Sequence, residues 1–199
     1  MRCCTGARGA LAVLERVSTS TEIAAGRLVL RHPRWSDYDA WAAIRRKDAD
    51  RLRPWEPEWR DAHLSRGSYR LRLNRFRKMV QGDRAYPFHV FRADTQVLIG
   101  AVNLTHVERG AAKSAKIGYW IASDHQGRGH ARASVSALCR FAFDTLGLHR
   151  VEAAVQPDNA PSIRVLQATR FQLEGRARGL LKIDGVWADH DIYARLSAD

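Results

Sequence analysis

The chain has 199 residues, 45% of them hydrophobic, and 33 Lys and Arg against 21 Asp and Glu give a formal net charge of +12. That length suits one domain with its own core and argues against two. The charge excess attracts polyanions and anionic ligands through a field that salt screens, and it equally fits a general arginine bias. Cys3 and Cys4 are adjacent and Cys139 falls in a helical pattern, so neither a disulfide framework nor a zinc site is indicated. The short apolar run Ala10 to Leu14 is cut off by Glu15 and Arg16, and no stretch is long enough to span a bilayer. The expectation is a cytoplasmic protein with no membrane partner.

Residues 1–24 lack periodicity and read as an N-terminal extension or a small leader strand; residues 25–199 read as a single domain. Arg27 to Arg31 alternates as a strand, and Ser36 and Asp37 are placed to cap a helix carrying Trp41, Ile44 and Arg45. Arg53 to Trp59 is an irregular loop with two prolines and two tryptophans. A basic helix is predicted over about Leu64 to Gln81, its apolar stripe formed by Tyr69, Leu73, Phe76 and Val80. Phe88–Arg92 and Val97–Leu104 form a hairpin about Ala93-Asp94-Thr95, and Ala115–Ile121 is a third strand. A helix to Leu146, capped by Gly147, is followed by a strand over Arg150–Val155. A helix opened by Asn159 and two strands about Lys182–Gly185 complete the chain. The predicted class is α/β, one mixed, mostly antiparallel central sheet flanked by helices.

Between the third strand and its helix lies Gln126-Gly127-Arg128-Gly129-His130-Ala131. The two glycines allow a tight turn and close approach of a bulky anion. The helix behind them presents unpaired N–H groups and a positive dipole end, and Arg128 adds a formal charge. A phosphate or pyrophosphate fits; an ordinary strand–helix turn fits as well. A Walker loop is excluded by the missing Gly-Lys-Ser/Thr, and a dinucleotide fingerprint by the missing third glycine and the antiparallel hairpin upstream.

The pattern Gln-x-x-Gly-x-Ala after a strand resembles the acetyl-CoA signature of the GNAT superfamily of N-acetyltransferases. Gly118-Tyr119-Trp120-Ile121 resembles the strand before it, and Asn159-x-x-Ser162 the start of the cofactor-contacting helix. Gly185-x-Trp187-x-Asp189-His190 with Tyr193, and Pro54-Trp55-Glu56-Pro57, resemble the RimJ/RimL branch, which acetylates N-terminal amines of ribosomal proteins. The likeness spans about Arg27 to Leu196. It departs at Arg170, where the family has glycine, at Lys116, where an acid is common, and at Leu181, where related enzymes carry a glutamate.

The resemblance implies that acetyl-CoA lies against Tyr119, Trp120 and Ile121, whose backbone polarises the thioester. The pyrophosphate would sit on Gln126, Gly127, Arg128, Gly129, His130 and Ala131, with Asn159 holding the pantetheine arm. Ser162 is expected to serve the leaving sulfur, although Asn159 and Ser162 would also make an ordinary helix cap. Glu152 and Asp189 are the two carboxylates weighed as base, and an α-amine near pKa ~8 leaves room for catalysis by positioning alone. Trp55 is either a wall of the acceptor pocket or a packed tryptophan. The acceptor expected is a protein N-terminus, with ribosome association, no direct DNA contact, and a monomer or homodimer. A small-molecule amine acetyltransferase and a non-catalytic basic RNA- or ribosome-binding module are the alternatives.

Overall fold

A computed structural model describes residues 20–199, so the extension predicted over residues 1–24 lies outside the described residues up to position 19. Eight strands form one sheet in the order β1-β2-β3-β4-β5-β6-β8-β7. They are β1 (Glu22–Ala25), β2 (Leu28–Arg31), β3 (Tyr86–Arg92), β4 (Leu98–Glu108), β5 (Ser114–Ile121), β6 (Arg150–Val155), β7 (Gln172–Ile183) and β8 (Val186–Leu196). The longer helices are α1 (Tyr38–Lys47), α2 (Arg66–Gln81), α3 (His130–Arg140) and α4 (Ala160–Ala168). All neighbouring strands are antiparallel except β5 and β6. This is the mixed, helix-flanked sheet that the sequence predicts. At the sheet edge β1 is a short strand, of the two readings given for this segment the leader strand: Glu22, Ile23 and Ala24 pair with Arg31, Leu30 and Val29.

Strand alternation builds a core on each face of the sheet. From β3, Tyr86, Phe88 and Val90 join Val135, Leu138 and Leu146 in the main cluster. Phe91 points the other way, into a smaller cluster with Tyr38, Trp41, Tyr69 and Leu98 from α1, α2 and β4. After Arg140 the helix widens into a π turn, Phe141–Thr145, and Leu146 N–H donates to the Phe141 carbonyl at 3.0 Å. This seats Phe141 edge-on to Tyr86 and Phe88.

Asp37 stands at the N-cap of α1 but makes no side-chain cap bond to it. Its carboxylate accepts from Arg34 N–H at 2.8 Å, from Arg31 at 2.9 and 2.6 Å, and from His89 Nδ1 at 3.2 Å. Burial alone would raise its pKa; the hydrogen bonds from His89, Arg31 and the backbone outweigh it and hold the carboxyl far below its ordinary value. Burial lowers the pKa of His89 itself.

The feature that positions the site is a fork. β5 and β6 pair only over Ser114–Lys116 and Arg150–Glu152. Beyond that point β5 stays on β4, with Gly118 through Ile121 against Asn103 through Gly100. β6 stays on β8, with Ala153–Val155 against Tyr193 through Asp191. The facing edges therefore carry backbone N–H and C=O groups that no strand satisfies. Gly100 anchors one prong: a Cβ there would sit 2.3 Å from the Trp120 carbonyl, so only glycine lets β4 approach so closely.

Candidate active site

The prong of β5 runs through a short 3₁₀ turn, Ser123–His125, into the glycine loop and α3. Asp48, just after α1, ties this turn down. Ser123 donates to it through N–H at 2.8 Å and Oγ at 2.6 Å, and Arg51 through Nη2 at 2.8 Å. Burial pushes the Asp48 pKa up, but these hydrogen bonds prevail and keep it ionised below the usual range. Arg51 also donates to the Ile121 carbonyl at 2.9 Å, and Gln126 Nε2 to the same oxygen at 3.3 Å. Gln126 thus braces the loop.

Gly127 and Gly129 both adopt left-handed backbone, with φ of 69° and 75°. Gly129 is the N-cap of α3 and has no side chain to offer. The first-turn N–H groups, His130 and Ala131 among them, are left for an anion. Arg128 has no ion-pair partner among the described residues. Burial, followed by the charge of Arg128, lowers the pKa of His125; for His130 the order is burial, His125, then Arg128. The loop is an electropositive cradle built mainly from backbone.

Opposite it, Asn159 caps α4, its Oδ1 accepting from Ser162 N–H at 3.1 Å. The Tyr119 hydroxyl donates to the Ser162 carbonyl at 3.1 Å. Its only proton is thereby used, so Ser162 Oγ–H donates to the Tyr119 oxygen at 2.9 Å. Burial pushes the Tyr119 pKa up to about 12, although its bond to Ser162 lowers it. Both hydroxyls stay protonated at neutral pH.

The fork opens into a cavity of about 800 Å³ that Tyr119, Trp120, Asn159 and Ser162 line at one end. At the other, Trp55 stands at the rim, 38% exposed. Behind it Arg45, only 3% exposed, pairs with Glu56 through two nitrogens, one at 2.6 Å. Trp59 Nε1 donates to Glu56 at 2.9 Å, and the Arg45 guanidinium lies 4.1 Å from the Trp59 ring centre. His63 stacks on Trp59 at 4.9 Å; burial and then the charges of Arg45 and Arg72 depress its pKa and keep it neutral. His190 is buried in the same wall, its Nδ1–H donating to the Ala188 carbonyl at 2.9 Å.

Two sequence candidates stand elsewhere. Glu152 lies in the closed stem of the fork and accepts from Arg150 Nε at 2.7 Å. Asp189 accepts from Gly179 N–H at 2.8 Å and braces the bulged, exposed β7. Neither lines the cavity, whereas Glu56, Glu58, His63 and His190 do.

A family model described as an acetyltransferase (GNAT) domain matches residues 27–172, a span holding the fork, the glycine loop and α4. The chain belongs to the GNAT acetyltransferase family. It is 41% identical over 130 residues to a probable N-acetyltransferase, YjcK, of Bacillus subtilis, covering 65% of this chain and 72% of that protein. To the [ribosomal protein uS5]-alanine N-acetyltransferase of Escherichia coli it is 32% identical over 165 residues, covering 82% and 85%. The structure of Mycobacterium smegmatis RimJ in complex with CoA-disulfide superposes with a TM-score of 0.85 at 33% identity, covering 90% and 88%. As a GNAT protein the chain is an N-acetyltransferase of RimJ/RimL likeness. One GNAT departure has a visible consequence: Arg170 holds φ at 66°, the left-handed backbone that glycine adopts freely. β8, which carries His190, lies past the matched span.

Proposed function

We propose that the protein transfers acetyl from acetyl-CoA to the N-terminal amine of a protein, of the ribosomal-protein alanine kind, by direct attack within a ternary complex. The observation that carries this reading is that the fork and the Trp55–Arg45–Glu56–His63 wall open into one cavity, so both reactants meet in a single space. Effective concentration then supplies a large share of the rate. The fit to coenzyme A rests on the unsatisfied edges of the β5–β6 fork and on the uncapped, glycine-led start of α3. Tyr119, Trp120 and Ile121 would present backbone to the pantetheine arm and polarise the thioester oxygen. Gln126 through Ala131 would hold the pyrophosphate, and Asn159 the arm. When bound, acetyl-CoA supplies an activated acetyl group.

The chain's own chemistry is proton management. In the Ser162–Tyr119 pair, the Ser162 Oγ–H would turn from the Tyr119 oxygen towards the leaving sulfur and give it a proton. Among the described residues, the imidazoles of His63 and His190 line the cavity where Glu152 and Asp189 do not, and burial with the charges of Arg45 and Arg72 lowers the pKa of His63. Arg45, Arg60 and Arg72 line that end beside Glu56 and Glu58, which disfavours a polycationic small amine as acceptor. The uS5-alanine activity named for the Escherichia coli relative supports a protein acceptor. Cytoplasmic residence and association with the ribosome belong to the same proposal; no helix of the described residues is long and apolar enough to cross a membrane. The test is mass spectrometry of a panel of N-terminal peptides and small amines incubated with enzyme and acetyl-CoA. Acetyl appearing on peptide α-amines is the expected result; acetyl on small amines alone would transfer the assignment to that class.

A further inference from the structure

Helix α2 has a second face that the acetyl-transfer chemistry does not use. Its sixteen residues hold six cations and no acid, half the net charge of the chain. Among the described residues only Arg66 of these has a carboxylate partner, Asp39; Arg70, Arg75, Arg77 and Lys78 have none. Arg66, Arg70 and Arg77 fall within about 40° of one another around the helix, forming a ridge along its flank. Crowding like charges three and four residues apart weakens a helix in water, so the arrangement is favourable only beside an anion.

Beside the ridge runs a groove of about 300 Å³ with walls from Trp35, Leu73, Phe76 and Pro87 and rims from Arg34 and Arg77. Trp35 is 42% exposed, and the Arg70 guanidinium lies 5.2 Å from its ring centre. Trp35 and Arg70 are distant in sequence, so the chain alone does not reveal this pairing of an aromatic with the basic ridge. An exposed indole beside an apolar slot takes the face of an unstacked base, and flanking guanidinium groups take its phosphates. An acidic polypeptide would satisfy the arginines but would leave the aromatic slot without use.

We propose that this face binds single-stranded RNA, one base entering the Trp35 groove and two or three phosphates lying on Arg70, Arg77 and Arg34, the last exchanging its exposed partner Glu22 for phosphate. Resting on the ribosomal-acceptor reading, it follows that the enzyme meets its acceptor on RNA. The same helix sends Ser68, Tyr69 and Arg72 into the acceptor cavity, so RNA on its outer face would lie next to the cavity mouth.

The experiment is fluorescence anisotropy of the purified full chain with a labelled single-stranded RNA of about 12 nucleotides, repeated with labelled poly-glutamate. Micromolar binding is expected, falling with salt at a slope of about −2 on logarithmic axes, as for roughly three neutralised phosphates. Trp35→Ala should weaken RNA about tenfold, and the exposed pair Arg70→Glu/Arg77→Glu should remove it while acetyl-CoA affinity and melting temperature hold. The pair carries the test if Trp35→Ala fails to fold. RNA binding unchanged by the arginine pair would overturn the proposal, and so would poly-glutamate binding with the same dependence on Trp35. Loss of the acetyltransferase reading would show separately, as failure to bind acetyl-CoA with RNA binding intact.

Discussion

The two ends of the cavity, the proposed seats of cofactor and acceptor, are built by different means. The fork and the glycine loop are backbone surfaces: uncapped amides, left-handed glycines and two strand edges that separate after three paired residues. The acceptor end is a side-chain surface, a buried guanidinium held by one carboxylate and walled by tryptophan and histidine. A backbone surface tolerates change in most side chains. A charged side-chain wall does not, since a single substitution leaves a buried partner unmatched.

The sharpest way to break the contrast is Gly129→Val. A β-branched residue at φ 75° is strained and intrudes on the anion cradle. Acetyl-CoA affinity by calorimetry should fall about a hundredfold, the equivalent of about 3 kcal/mol, while the fold is kept. Smaller is the effect of Tyr119→Phe or Ser162→Ala. Each should lower turnover about tenfold or more with the KM for acetyl-CoA nearly unchanged, and unchanged turnover in both would remove the hydroxyl pair from the chemistry. Glu56→Gln attacks the other end. It strips the carboxylate from a buried guanidinium, so the acceptor KM should rise about tenfold and thermal stability should drop by about 2 kcal/mol, with acetyl-CoA affinity intact. An equal loss of acetyl-CoA affinity would mean that the two ends are one unit.

A pH series reaches both ends, where His63, His125 and His130 have lowered pKa values, and the core beyond them. His32 and His89 have folded pKa values depressed chiefly by burial, and Asp37 by hydrogen bonds that outweigh its burial. The unfolded chain therefore binds more protons than the folded one in acid. Stability should be flat above the ordinary histidine value of 6.5, decline below it as the histidines of the unfolded state protonate, and decline faster below about 3.8 as Asp37 joins. His89→Gln should flatten the first decline, read from unfolding midpoints. The smallest expected effect is a gain. Arg170→Gly relieves left-handed backbone at an exposed turn and should add about 0.5–1 kcal/mol.

What the sequence disclosed divides along the same line. The glycine loop, the Asn159–Ser162 cap and Tyr119 are local patterns, fixed by spacing within a few residues, and the helix start, cap and strand they predict are present. The acceptor end joins residues 11, 18 and 102 positions apart, Arg45 to Glu56, Arg45 to His63 and Pro54 to Gln156, and no local period records such pairs. Glu152 illustrates the loss. Strand alternation gives its face of the sheet, but not that β5 and β6 separate only after it, which leaves it in the stem. His190 reads as one more strand residue until β8 is seen to carry it into the cavity. β1 is short and edge-paired, and gives too few residues for a period to register.

Hydrogen exchange with and without acetyl-CoA tests most directly the claim that the open fork is the cofactor seat. Amides in Gly118–Ile121 and at the start of α3 should gain protection on binding, while those of the stem, Ser114–Lys116 and Arg150–Glu152, stay as they were. Protection confined to the acceptor wall, with the fork amides unchanged, would contradict it.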